Sequence, residues 1–138
     1  MSKRRDLLKM PALLAPAALL MAAKTPGLKN VTIDEATAKL TKEPFGDLRI
    51  YFEGSTDQLT AMTAGSLKLK AGMSPHAPHQ HPEEEFMVIT EGTGDLLVDG
   101  KTTKVGPGSM MYCAGDKLHG ITNTGKTLLT FYFYKWKA

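Results

Sequence analysis

The chain has 138 residues, a formal net charge of +3 and one cysteine. Its length is enough for one domain with a single core. Residues 1–23 hold four basic residues and one acidic residue and account for the whole +3, so residues 24–138 hold 13 of each kind. Nucleic-acid binding is not expected, because no basic surface remains to neutralise phosphates. A lone Cys113 excludes an intrachain disulfide.

Residues 1–23 have the organisation of an export leader, a basic start followed by an uncharged, mostly apolar run from Pro11 to Ala23. This run is shorter than the about 20 residues of a membrane-spanning helix, so no stable span is expected in the mature chain. The segment Lys3-Arg4-Arg5-Asp6-Leu7-Leu8-Lys9 resembles the twin-arginine export signal, and Lys3 and Leu7 depart from its usual form. The resemblance implies a periplasmic or secreted protein. The alternatives are an uncleaved anchor, since Met21 does not mark a clear cleavage site, and a cytosolic protein with a leader-like start.

Residues 24–45 form a predicted N-terminal arm. Within it, Thr32-Ile33-Asp34-Glu35 has the form of a helix capping box and precedes Ala-containing sequence. This pattern predicts one short helix near residues 33–42.

From residue 46 to 138 the sequence consists of short β-rich segments broken by Gly, Asp and Asn, which predicts an all-β barrel or sandwich. Leu67 and Leu69 alternate with lysines, so their strand has one buried and one solvent-facing side. Asp99-Gly100 predicts a two-residue hairpin, since a type I′ turn needs positive φ at both central residues. The predicted strands are Leu48–Phe52, Ser66–Lys70, Glu85–Ile89, Asp95–Val98, Lys101–Val105, Met110–Cys113 and Leu128–Tyr134.

Three of the four histidines, His76, His79 and His81, fall within six residues, and the fourth is His119. Residues two apart in an extended segment point to the same side, so His79 and His81 can present two imidazoles to one point. Glu85 opens the next predicted strand, on the same side as Met87 and Ile89 and opposite Phe86 and Val88, and can add a carboxylate. A set of imidazoles and one carboxylate, without a thiolate, suits one divalent Fe, Mn, Ni, Co, Cu or Zn ion.

Two segments resemble the two sequence motifs of the cupin family. His79-x-His81-x3-Glu85-x6-Gly92, preceded by Gly72, resembles the first motif, with the gap from Gly72 to His79 one residue longer than usual. Gly108-x5-Ala114-x-Asp116-x2-His119-x3-Asn123 resembles the second, with Ala114 and Asp116 where Pro and Gly are commoner. The resemblance covers residues 45–136. It implies a cupin jelly-roll barrel, or double-stranded β-helix, in which one divalent metal is coordinated by His79, His81, Glu85 and His119.

Other residues near the motifs receive more ordinary interpretations. His76 is either a contact to the metal site or substrate, or an exposed loop residue. Cys113 is expected to be a small buried apolar residue and not a reactive thiol. Glu83 and Glu84 are expected to form a solvated run, and Asn123 to support a turn or the barrel.

The C-terminal segment Phe131–Trp136 alternates aromatic side chains along a predicted strand, which favours a division between the core and a partner subunit. Together with the frequency of pairing among single-domain cupins, this predicts a homodimer.

Two functions remain open, because one barrel fold hosts many chemistries. The first is a small-molecule metalloenzyme with dioxygenase-like or Lewis-acid chemistry on a chelating substrate. The alternative is a non-catalytic, metal-dependent binding module for a small ligand.

Overall fold

The computed structural model describes residues 27–138, so the predicted leader, residues 1–23, lies outside the described residues. The described part consists of strands and turns without a helix, and therefore has no helix that could cross a membrane. The strands are β1 (Lys39–Glu43), β2 (Gly46–Gly54), β3 (Ala61–Leu69), β4 (Glu84–Glu91), β5 (Gly94–Val98), β6 (Lys101–Val105), β7 (Met110–Cys113), β8 (His119–Asn123) and β9 (Leu129–Lys137).

The strands form two antiparallel sheets. The larger sheet has the order β1-β2-β3-β9-β4-β7, and the smaller has the order β6-β5-β8. Apolar side chains of both sheets meet in one core, which confirms the all-β prediction. The buried core residues are Leu67, Leu69, Met87, Ile89, Leu96, Met111, Cys113, Ile121, Leu129 and Phe131.

The seven predicted strands correspond to β2–β7 and β9. Strand β4 shows the expected alternation, because Glu85, Met87 and Ile89 are buried while Phe86 is exposed. The hairpin between β5 and β6 also forms as predicted, with φ of 47° at Asp99 and 84° at Gly100. The alternation of apolar and polar residues, together with the turn-forming residues, therefore predicted most of the strands.

The helix predicted for residues 33–42 does not form. Asp34 does begin a turn, since its Oδ1 accepts a hydrogen bond from the Thr37 amide at 2.8 Å and its carbonyl accepts one from Ala38 at 3.0 Å. The turn ends there, and β1 starts at Lys39, which pairs with Ile50 of β2. Pairing with β2 satisfies the backbone groups that further helical turns would have used. A sheet partner is a tertiary feature that the local capping pattern does not contain.

Candidate metal centre

Backbone hydrogen bonds join the two motifs. His79 and His119 form an antiparallel bridge in which each amide donates to the other's carbonyl at 2.9 Å. The His81 carbonyl accepts a hydrogen bond of 2.7 Å from the Asp116 amide. Asp116 has a φ of 59°, a left-handed conformation that glycine adopts most readily and aspartate tolerates. The segment from His79 to His81 is therefore fixed beside the start of β8, even with Asp116 at a position where glycine is commoner.

Side chains of both sheets converge at this point. One ligand atom from each of His79, His81 and His119 lies within 4.8 Å of the others. Glu85, on β4 of the larger sheet, places Oε2 3.0 Å from Nε2 of His81 and 3.0 Å from Nε2 of His119. The structure thus brings together the four residues that the sequence predicts as ligands.

Hydrogen bonds on the far side of two imidazole rings orient their metal-facing nitrogens. His119 Nδ1 donates to the Lys117 carbonyl at 2.9 Å, and His81 Nδ1 donates to the Glu83 carbonyl at 3.1 Å. Each Nδ1 carries the proton, because a carbonyl oxygen can only accept a hydrogen bond. In the neutral form of each ring, Nε2 then has its lone pair directed toward the cluster, the arrangement found in histidine metal ligands.

The residues present fit a divalent cation. His119 Nε2 is buried without a hydrogen-bond partner among the described residues; it lies close to Glu85 Oε2, but the two atoms are not aligned as a hydrogen bond. Unprotonated nitrogens facing a carboxylate at this distance repel one another unless a proton or a metal ion lies between them. Three imidazole nitrogens and one carboxylate oxygen form a donor set suited to a divalent transition metal.

The surroundings favour the metal-binding protonation states of Glu85 and His79. Burial raises the pKa of Glu85, but contacts with His119 and His81 outweigh it, so that this pKa lies below its ordinary value. Burial, followed by the neighbouring histidines, lowers the pKa of His79 to about 4. The contact with Glu85 raises the pKa of His119. An ionised Glu85 and a neutral His79 at neutral pH are the forms that bind a metal.

The cluster lies in the wall of a cavity of about 240 Å³. Both sheets contribute to the apolar part of this wall, including Leu67, Met87, Ile121, Phe131 and Phe133. The polar residues along the cavity are His76, His79, His81, Glu85, His119 and Lys135. The candidate centre therefore faces a small, mostly apolar chamber that can hold an organic ligand.

Three residues near the motifs acquire defined roles. The ring of His76 stacks on that of His79, with centroids 3.6 Å apart and an interplanar angle of 22°, so His76 supports a ligand and lines the cavity. Cys113 is buried, and burial raises the pKa of its thiol, which agrees with the predicted apolar role. Asn123 is completely buried and links three backbone groups, which confirms a barrel-supporting amide.

Glu83, Glu84 and Lys135 differ from what the sequence indicated. Glu83 and Glu84 are half-buried and not a solvated run: Glu83 Oε2 lies 3.3 Å from His81 Nδ1, and Glu84 accepts hydrogen bonds from Tyr112 and Trp136. Lys135 lines the cavity and was absent from the predicted site. The signal for it was the two-residue period of β9, which places it on the inward side with Phe131 and Phe133.

Comparison with solved structures places this arrangement in a known fold. An RmlC-like cupin from Shewanella frigidimarina superimposes with a TM-score of 0.65 and 13% identity, over 81% of this chain and 94% of that one. KdgF from a Halomonas species superimposes with a TM-score of 0.65 and 16% identity, over 80% of this chain and 96% of that one. The polyketide cyclase RemF from Streptomyces resistomycificus superimposes with a TM-score of 0.59 and 17% identity, over 78% of this chain and 80% of that one. At such identities the likeness shows the fold, a cupin jelly roll.

Family membership follows from the sequence itself. No curated protein sequence matches the chain. The family model described as Cupin domain (Cupin_2) matches residues 65–134, which is more than half of the chain and includes all four converging residues. The chain therefore belongs to the cupin domain family.

Proposed function

We propose that the protein is an exported, metal-binding cupin that acts as a small-molecule metalloenzyme on a chelating substrate, by dioxygenase-like or Lewis-acid chemistry. One observation carries the proposal: three histidines and a carboxylate converge in the wall of a cavity of about 240 Å³. A metal with a purely structural role needs no adjoining chamber. A centre that faces one can meet a ligand from solvent.

Each part of the site has a separate task in this proposal. His79, His81, Glu85 and His119 would hold one divalent metal, with Glu85 as its only anionic ligand. The metal would supply Lewis acidity and coordination positions for a chelating ligand. The carbonyls of Lys117 and Glu83 keep two rings in the binding tautomer, and the apolar cavity walls exclude water from around the ligand.

A non-catalytic binding module is the second candidate, and the composition of the cavity favours it. Apart from the four proposed ligands, the ionisable side chains that line the cavity in the described part of the chain are those of His76 and Lys135. Most bond rearrangements need a positioned acid or base, so this supply is small. Likeness to a polyketide cyclase does not decide between the candidates, because proteins that share a fold can catalyse different reactions or none.

The test is metal analysis of the purified protein followed by a panel of chelating catechols, diketones, hydroxy acids and sugar acids. Product formation by the metal-loaded protein would support the enzyme. Saturable binding without product would support the module. A fully loaded protein that neither binds nor converts any member of the panel would contradict both.

The export part of the proposal rests on the twin-arginine-like segment that contains Arg4 and Arg5. Such leaders serve proteins that fold before transport, so the metal would be acquired in the cytoplasm. We therefore propose a periplasmic or secreted location for the mature chain.

The assembly part of the proposal is a homodimer. Strand β7 is an edge of the larger sheet. An outer apolar patch extends from it over β4 and β9 and comprises Met110 and Tyr112 of β7, Phe86 of β4 and Tyr134 of β9. These four side chains are between 42% and 71% exposed. An edge strand beside exposed apolar side chains is a surface that soluble proteins usually cover, and a symmetric contact with a second copy would do so.

A further inference from the structure

Building on the proposed function, we propose that the cavity takes a small anionic ligand, a carboxylate in the simplest case, and that Lys135 binds its anionic group. Lys135 would then determine the charge of the substrate, while the metal centre determines its chelating group.

Strand pairing places Lys135 beside the metal centre. Lys135 of β9 is directly opposite Glu85 of β4 in the antiparallel ladder, and opposed residues extend from the same side of a sheet. Phe133 and Phe131, two and four residues earlier on β9, line the same cavity as Lys135. The ammonium group therefore extends from the cavity wall that also carries Glu85.

No described carboxylate forms an ion pair with this ammonium. Within residues 27–138, no carboxylate oxygen lies within 4.0 Å of Lys135 Nζ, although Lys68 and Lys104 both have such partners. The side chain is only partly exposed and faces apolar walls. A cation in such surroundings is stabilised when a ligand supplies the counter-charge that water supplies elsewhere.

The charge around the cavity also favours an anion. With neutral histidines, the charged residues that line it within residues 27–138 are Glu85 and Lys135, and their charges cancel. A divalent cation at the proposed centre would leave a net charge of +2 at the cavity wall. An anionic ligand lowers this excess, whereas a neutral ligand leaves it in an apolar chamber.

Cavity size limits the ligand to small molecules. A volume of about 240 Å³ is below the about 300–1,000 Å³ typical of sites for drug-sized ligands. A small acid with one chelating group at one end and a carboxylate at the other satisfies both the metal centre and Lys135.

Two probes of equal shape separate the role of charge from that of chelation. 3,4-Dihydroxybenzoate and 3,4-dihydroxybenzamide share a chelating catechol and differ in the charge of the opposite group. Calorimetric titration of the full-length, Zn(II)-loaded protein avoids oxidation, because zinc is redox-inert. We expect wild type to bind the benzoate about tenfold more tightly than the benzamide.

Substitutions assign this preference to one residue. Lys135→Met keeps the length of the side chain and should abolish the preference, whereas Lys135→Arg keeps the charge and should retain it. Lys137→Met is the matched control, because Lys137 is exposed on the same strand and does not line the cavity. It should bind both probes as wild type does. Circular dichroism and zinc content of each variant establish that the fold and the metal centre are intact.

The outcomes distinguish this inference from the proposed function. If wild type binds both probes equally, or if folded, zinc-loaded Lys135→Met keeps the wild-type preference, the role of Lys135 is overturned while the chelating site stands. If loaded wild type binds neither probe, the chelating site itself is wrong and the inference is overturned with it.

Discussion

Oε2 of Glu85 lies 3.0 Å from Nε2 of His119, although Glu85 belongs to β4 of the larger sheet and His119 to β8 of the smaller one. Their contact is where the two motifs of the sequence meet. Because the sheets must pack before these atoms are neighbours, metal binding is expected to depend on folding and to stabilise the folded state.

Loss of a histidine should empty the centre. His79→Ala and His119→Ala each remove one of three clustered imidazoles, so we expect metal affinity to fall by more than about tenfold. Elemental analysis after dialysis against a weak chelator measures the effect. His76→Ala keeps the four proposed ligands and should retain more metal than either variant. Wild-type occupancy in both ligand variants would remove these residues from the site.

Glu85→Gln tests the contribution of charge. The amide has nearly the shape of the carboxylate, but it removes the only anionic ligand, so metal affinity should fall by less than on loss of a histidine. Competition with a chromogenic chelator measures this affinity. A suitable control is Glu91→Gln, an acidic residue on the same strand outside the cavity. Equal affinities for wild type and Glu85→Gln would mean that Glu85 is not a ligand.

Asn123 should be a determinant of stability and not of metal binding. Its Nδ2 donates to the carbonyls of Leu69 and Thr127 at 2.9 and 2.8 Å, and its Oδ1 accepts from the Gly125 amide at 2.9 Å. Asn123→Ala leaves buried groups unpaired, which should lower the free energy of unfolding by about 2–4 kcal/mol.

Urea unfolding of the metal-free protein gives this free energy. Thr124→Ala is the neighbouring control, since Thr124 is exposed and should change stability by less than about 0.5 kcal/mol. A loss below about 1 kcal/mol in Asn123→Ala would show that water replaces the amide at little cost.

The outer apolar patch should mediate dimerisation. Met110 is 71% exposed, so Met110→Asp should leave the core intact but place a charge in the proposed contact. Light scattering at micromolar concentration should report a dimer for wild type and a monomer for this variant. Thr103→Asp, exposed on the smaller sheet, should remain dimeric. A wild-type monomer would rule out the assembly.

Export should depend on the arginine pair. Lys replaces Arg in charge but not in its planar, five-donor geometry, so a receptor that reads the pair should reject Arg4→Lys with Arg5→Lys. Cell fractionation should find wild type outside the cytoplasm and this variant inside it. Lys3→Arg, which alters a position that already departs from the usual signal, serves as the control. Identical distributions would favour a cytosolic protein.

Sequence patterns were sufficient to predict those structural features whose physical cause lies within a few neighbouring residues. Alternation along β4 identified the side of Glu85, and Asp99-Gly100 identified a turn that needs positive φ. The spacing of His79 and His81 indicated a metal cluster, since ligands two residues apart in extended chain share a side. These features depend on neighbours within a few residues.

Only the tertiary structure decided what depends on distant partners. Capping residues near Asp34 favour a helix, but pairing with β2 converts residues 39–43 into a strand. Glu84 is half-buried because its carboxylate accepts hydrogen bonds from Tyr112 and Trp136, which lie on two other strands. Lys135 faces the metal centre because β9 pairs with β4 in one particular register. Register is set by packing across the whole sheet, so the alternation along β9 could indicate the inward side of Lys135 but not its position opposite Glu85.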